Sequence, residues 1–177
     1  MNGNCHFIFG TALGTAAAIN LDVINRYFPN ITMTPETATL FVLGGIVGGL
    51  FPDIDSPTSY IGKLSYPVSK WIGKLSRKFG KEKENHRGML HDPTFYLAGI
   101  VLSYLFFPPL VGLFLGCLSH LFLDMFNPAG ISLFLGASRL SIAKIKSGSK
   151  VSVFFSWGTT LFTLVSGILI KTAYIKL

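Results

Sequence analysis

Charge is what this chain has least of. Only 13% of its 177 residues are Asp, Glu, Lys or Arg, against roughly 25% in an average globular protein, while half are apolar and the mean hydropathy is +0.53. A single soluble domain of ordinary composition is thereby excluded. The 15 Lys and Arg and 8 Asp and Glu crowd between stretches that carry almost none, which is the pattern of a polytopic membrane protein. Cysteine is nearly absent as well. Cys5 and Cys117 give neither a disulfide-dense scaffold nor a Cys-x-x-Cys pair for a zinc knuckle, and both lie in apolar runs as packing or lipid-facing residues. There is no Gly-x-Ser-x-Gly, which disfavours serine hydrolysis. DNA- and RNA-binding motifs are missing too, so the net charge of +7 gives no reason to invoke nucleic acid.

The apolar stretches run approximately from Cys5 to Leu21, Ala38 to Phe51, Thr94 to Phe107, Pro109 to Phe126 and Val151 to Ile170. They predict an all-α bundle of about five apolar helices forming one membrane-embedded domain over residues 1–177. Several are shorter than the ~20 residues that cross a bilayer upright. Gly10 and Gly14, Gly44 and Gly48, Gly45 and Gly49, and Gly112 and Gly116 stand four apart, the spacing that lets helix backbones approach closely, although glycine is common in membrane helices generally. No Lys or Arg precedes Arg26, so the first stretch lacks a signal peptide's basic leader and is expected to be a retained helix.

Within the loop between the second and third stretches, Tyr60, Leu64, Val68, Trp71, Leu75 and Phe79 recur at steps of four and three, with Lys63, Lys70, Lys74 and Arg77 on another face. This predicts an amphipathic helix in the segment of about 56–92, kinked or split by Pro67. Its basic and aromatic character suits an interfacial helix on an anionic membrane surface; a helix capping the bundle with a solvated basic face fits the pattern equally well.

All four histidines begin or end a predicted span. His6 opens the first; Asp53 and Asp55 follow the second; His86, His91 and Asp92 lead into the third; His120 and Asp124 lie in the last turns of the fourth. With five spans these residues gather at one membrane face. Ionisable groups at membrane depth cost ~2.5–3.5 kcal/mol on insertion scales and tend to mark function, and His with Asp suits zinc, manganese or iron better than calcium or magnesium. His120 and Asp124 share one helix face, as two ligands, as a ligand and its partner, or as an interhelical hydrogen-bonded pair. Asp53 and Asp55 occupy a helix-ending turn between Pro52 and Ser56-Pro57, where one of them can instead shape the turn. Asp92 before Pro93 fits a helix N-cap better than a ligand.

At these residues the chain resembles the LexA-binding, inner-membrane-associated hydrolases, often described as membrane-bound metal-dependent hydrolases. The resemblance rests on His6-Phe7-Ile8-Phe9-Gly10, Phe51-Pro52-Asp53-Ile54-Asp55-Ser56-Pro57 with Gly62, His86-Arg87-Gly88 to His91, and Ser119-His120-Leu121-Phe122-Leu123-Asp124 followed by Asn127-Pro128-Ala129-Gly130. Leu90 and Asp92 replace the Thr and Ser usual in that family's third block, and its Gly-Ser-x-x-Glu is reduced to Gly148-Ser149-Lys150-Val151-Ser152. The arrangement is also distantly similar to zinc-dependent phospholipase C. These resemblances imply a membrane-bound hydrolase with one to three divalent ions, zinc foremost and manganese next, drawn from His6, Asp53, Asp55, His86, His91, His120 and Asp124. Asp53 or Asp55 would bridge, water activated by the metal would attack, and Arg87 would grip a phosphate through paired donors. The expected substrate is a phospholipid or another amphiphilic phosphoester. The alternatives are an ion or metal transporter, disfavoured by ligands at one face and no inverted repeat, and a non-catalytic anchor whose basic loop binds a soluble protein partner.

Sidedness gives a first testable expectation. The segments 52–93 and 127–150 hold twelve of the 15 Lys and Arg, so the positive-inside rule puts them in the cytoplasm of a prokaryotic cell and the C-terminus outside. Cysteines introduced in either segment should react only with membrane-permeant reagents in intact cells. Impermeant labelling of one segment but not the other would overturn this topology.

Overall fold

The computed structural model describes residues 3–79, 89–134 and 137–176. It is mostly helical, and four of its helices begin where a side chain, of Thr34, Ser59, Asp92 or Ser149, accepts from a first-turn amide. Helix α1 spans Gly3–Ile19 and α2 Leu21–Tyr27, at 70° to each other across Asn20. Helix α3 (Pro35–Leu50) starts at Thr34, whose Oγ1 accepts from the Thr37 amide at 3.2 Å with proline at the first helical position. A 3-10 turn, Phe51–Asp55, then leads into α4 (Tyr60–Leu64) and α5 (Tyr66–Phe79). The break at Ser65 is the splitting expected from Pro67, which sits at the second residue of α5 and needs no amide partner there. Helix α6 (Pro93–Phe106), α7 (Val111–Asp124) and α8 (Lys150–Ile175) complete the set.

The core of the bundle is a contact between backbones. A Cβ on Gly10 would lie 2.3 Å from the Gly45 carbonyl oxygen, and one on Gly45 the same distance from that of Gly10; one on Gly48 would lie 2.1 Å from the Leu113 carbonyl oxygen. Helix α3 is thus clasped between α1 and α7 at distances only glycine permits. Phe41, fully buried, seals the far end of this contact with Leu21, Ile31 and Val111. Helix α8 runs alongside α1 in the same direction: Ser156 Oγ donates to the Cys5 carbonyl, and Asn20 Nδ2 donates to Gly167 at 2.9 Å. Asp22 and Lys171 close the same seam with an ion pair. Both cysteines are buried, Cys117 in the cluster of Tyr96, Leu121 and Ile131, so they are packing residues.

Two expectations need correction. The fold is not all-α, because Ile131–Leu133 (β1) pairs antiparallel with Ser138–Leu140 (β2). Gly130, at φ +63°, turns the chain out of α7 into this hairpin in a conformation that costs glycine little. Nor do all five apolar helices have spanning length. Pro35–Asp55 and Lys150–Ile175 are long and apolar enough to cross a membrane, and α1 with α2 makes a third if the bent pair is one span. Helices α6 and α7 have 14 residues each, or about 21 Å at 1.5 Å per residue, short of a ~30 Å hydrocarbon core. The pair Pro108-Pro109 ends α6 where the sequence would otherwise continue.

The glycine contacts predict opposite outcomes for one kind of substitution. Gly48→Ala should destabilise the detergent-solubilised protein by about 1–3 kcal/mol, since backbone must move. Gly158→Ala, with open space around its Cβ, should be neutral or stabilising by up to about 1 kcal/mol. Thermal melting of both variants checks this; equal melting temperatures would contradict the packing.

Candidate metal centre

The clasp brings one end of each of four helical segments together. His6 lies in the first turn of α1, Asp53 in the turn that ends α3, His91 immediately before α6, and His120 and Asp124 in the last two turns of α7. Chain direction alternates, so two helix beginnings and two helix endings meet. His6, His91, His120 and Asp124 are buried to 1% exposure or less, whereas Asp53 keeps 21%. Asp53 is therefore the edge of the cluster that faces outward.

The spacing of the polar atoms is uniform. His91 Nε2 lies 3.6 Å from Asp53 Oδ1 and 3.7 Å from Asp124 Oδ2; His120 Nε2 lies 3.6 Å and 3.5 Å from the same two oxygens. These distances exceed those of an N–H···O hydrogen bond. Two donors that share one ion at about 2.1 Å in a tetrahedral site stand about 3.4 Å apart, so each of these pairs is spaced as two ligands of one ion would be. His6 Nε2 approaches the other oxygen of Asp124, Oδ1, at 3.5 Å, and its ring stacks on that of His120 at 3.6 Å between centroids. The two groupings of mutually close ligand atoms are His6, His120, Asp124 and Asp53, His91, His120.

Surrounding bonds orient these donors. The His120 ring bonds through Nδ1 to the Gly49 carbonyl at 2.8 Å; with Nδ1–H donating, the lone pair of Nε2 points at the two carboxylates. Both nitrogens of His6 and Nε2 of His120 are buried and have no hydrogen-bond partner among the described residues. Burial brings the His91 imidazole down to about 4, against the upward pull of Asp53, leaving it neutral and able to ligate at ordinary pH. Asn127, itself buried, donates through Nδ2 to Asp124 Oδ1, while Ser147 Oγ donates to its Oδ1 and Ser141 Oγ to its backbone carbonyl. Ser59 Oγ donates to the backbone oxygens of Asp53 and Ser56 at 2.7 Å and 2.9 Å, fixing the turn that carries Asp53.

Other residues singled out in the sequence have different places. Asp55 is buried at the end of the Asp53 turn but belongs to neither grouping among the described residues. Asp124 presents one oxygen to each side, Oδ1 toward His6 and Oδ2 toward His91 and His120. Asp92 is the N-cap of α6: its Oδ1 accepts from the Thr94 amide at 2.9 Å, and Ser132 of the hairpin donates to its Oδ2. His86 and Arg87 lie outside the described residues. Two partners were not singled out from sequence, the Gly49 carbonyl and Asn127. The first is a backbone atom with no signature in residue type, while the second could be suspected from its place three residues after Asp124.

A donor set of three imidazoles and two carboxylates fits a divalent transition metal in its chemistry. The stranded nitrogens of His6 and His120 fit it as well, because buried polar atoms without partners are costly in a protein interior.

Comparison with known proteins places the chain. It is 38% identical over 117 residues to the inner membrane protein YdjM of Escherichia coli (strain K12) and, to the same degree, to that of Shigella flexneri. Those matches cover 59% of this chain and 55% of each relative, so the chain aligns with about half their length. It is also 31% identical over 136 residues to YvsG of Bacillus subtilis (strain 168), covering 75% of this chain and 72% of that protein. No solved structure matches. The family model for the YdjM inner membrane protein runs over residues 1–175, so this chain belongs to that family and is an inner-membrane protein.

Proposed function

We propose that the protein is a membrane-bound metal-dependent hydrolase that cleaves a phosphoester of a phospholipid or another amphiphile. One observation carries this reading: five buried or half-buried donors from four helix ends converge with histidine–carboxylate separations of 3.5–3.7 Å. In a bundle with this little charge, neutral core packing would meet the needs of stability at lower cost. Asp53, His91 and His120 would hold one ion, zinc foremost and manganese next, with Asp124 Oδ2 beside them, and His6 with the other oxygen of Asp124 would extend the site to a second. A divalent ion bound there would lower the pKa of a water molecule toward about 7 and stabilise charge developing on an attacked phosphoryl oxygen.

The chain's own contribution is positioning. Gly49 and Asn127 hold His120 and Asp124 in their ligating orientations, and the partly exposed Asp53 marks the side from which a substrate would enter. Arg87, four residues before His91 in sequence, would supply paired donors for a phosphate. The position of the cluster at helix ends favours a headgroup-level substrate and lends less support to an ion pathway, which would draw its ligands from the midplane. The resemblance of these motifs to the membrane-bound metal-dependent hydrolases supports the same reading.

Three outcomes follow. Purified protein should carry a transition metal, which elemental analysis will detect. The double substitution His120→Ala, Asp124→Ala should remove it, and full retention in that variant would refute the site. The metal-loaded protein should hydrolyse an amphiphilic phosphoester, losing activity on chelation and regaining it with zinc or manganese. Asp53→Asn should reduce turnover at least tenfold, since an amide is a poor ligand. Arg87→Ala should impair substrate binding far more than metal content, because arginine donates but does not ligate. A panel of phospholipids, lipid phosphates and nucleotides showing no metal-dependent turnover by loaded protein would contradict the proposal.

A further inference from the structure

The segment that covers the cluster has three distinct faces. Gly62, Ser69 and Gly73 are buried, and α5 packs on the turns that carry Asp53 and His91. Space is short at this contact: a Cβ on Gly62 would meet the Ser56 carbonyl oxygen at 1.9 Å. The small-residue side meets the bundle, and Ile61 and Ile72 beside it are half-buried. Five large apolar side chains of the segment point outward, with Leu64 79% exposed and Trp71 65% exposed, joined by Tyr60, Val68 and Leu75. On a third side Lys63, Lys70 and Lys74 are exposed. No Asp or Glu occurs between Asp55 and Glu82.

An outward ridge of five apolar and aromatic side chains would be a liability in water. In an inner-membrane protein it has an obvious solvent, because α4 and α5 lie against the ends of the bundle's helices, where the bilayer surface is. We infer that α4 and α5 form an in-plane foot: the ridge of Tyr60, Leu64, Val68, Trp71 and Leu75 seats in the adjoining leaflet, and Lys63, Lys70 and Lys74 engage its anionic headgroups. Aromatic residues favour the interfacial depth, and lysines near an anionic surface are attracted to it. The same helix thus binds the site-bearing turns with its small face and the lipid surface with its large one. Of the two arrangements the sequence allows, a bundle cap and an interfacial helix, the structure supports both at once, since the burial of Gly62, Ser69 and Gly73 does not use the ridge. The inference stands whether or not the cluster binds metal.

The test uses the full-length protein with Trp157→Phe, leaving Trp71 as its one tryptophan, reconstituted in phosphatidylcholine vesicles with or without phosphatidylglycerol. Bromine near the top of the acyl chains should quench Trp71 emission by about half in anionic vesicles, and more than bromine near the chain ends. Aqueous iodide should quench it little. The Lys63→Gln, Lys70→Gln, Lys74→Gln variant should abolish the difference between anionic and neutral vesicles. A nitroxide on Leu75→Cys, read by oxygen against aqueous nickel accessibility, gives the same answer without the tryptophan change. Iodide quenching as efficient as for free tryptophan, with brominated chains silent, would overturn the foot. Equal quenching of the parent in both vesicle types would overturn its recognition of anionic lipid.

Discussion

Backbone-to-backbone contact between α1, α3 and α7 is what the remaining architecture follows from. Gly10, Gly45 and Gly48 let three helices approach until carbonyl oxygens lie where side chains would otherwise start. In a bilayer no hydrophobic force drives such helices together, so close packing must supply the attraction. This clasp places the His6 backbone against Gly49 and lets the Gly49 carbonyl bond the His120 ring. The candidate centre is thus assembled by the same contact that assembles the bundle. A larger residue at Gly45 or Gly48 would separate the ligands as well as the helices.

That arrangement carries an electrostatic cost. Three imidazoles and two carboxylates occupy the ends of apolar helices, and little else in the bundle is charged. Asn127 donates to the same Asp124 oxygen that faces His6, and the Gly49 carbonyl bonds His120 Nδ1, so His120 Nε2 is left facing the carboxylates of Asp53 and Asp124. A divalent cation is the simplest group that satisfies atoms so arranged. Asp124 has the key position, since its two oxygens face His6 on one side and His91 with His120 on the other.

Much of this was visible in residue order. Apolar runs located α1, α3, α6, α7 and α8 to within a few residues, because membrane helices declare themselves by composition. The glycine spacing pointed to close packing, and Pro67 to a divided amphipathic segment. The sequence could not reveal that Asp124 would be the two-sided carboxylate, which depends on ring stacking between His6 and His120. Asp53 and Asp55 look equivalent in the chain, yet among the described residues the 3-10 turn brings Asp53 into a grouping of ligand atoms and not Asp55. Nor did hydropathy foretell the hairpin at Ile131–Leu140, which follows from the positive φ of Gly130 and is held to α6 by Ser132 on Asp92. The outward ridge on α5 was ambiguous until its small-residue side was seen to be buried.

The central claim is that His6, Asp53, His91, His120 and Asp124 form a metal centre. X-ray absorption at the zinc edge of the zinc-loaded protein tests it most directly. The account predicts a first shell of nitrogen and oxygen only, at about 2.0–2.2 Å, with outer-shell scattering from at least two imidazoles that falls in His120→Ala. A sulfur shell near 2.3 Å, or a spectrum unchanged by His120→Ala, would contradict it.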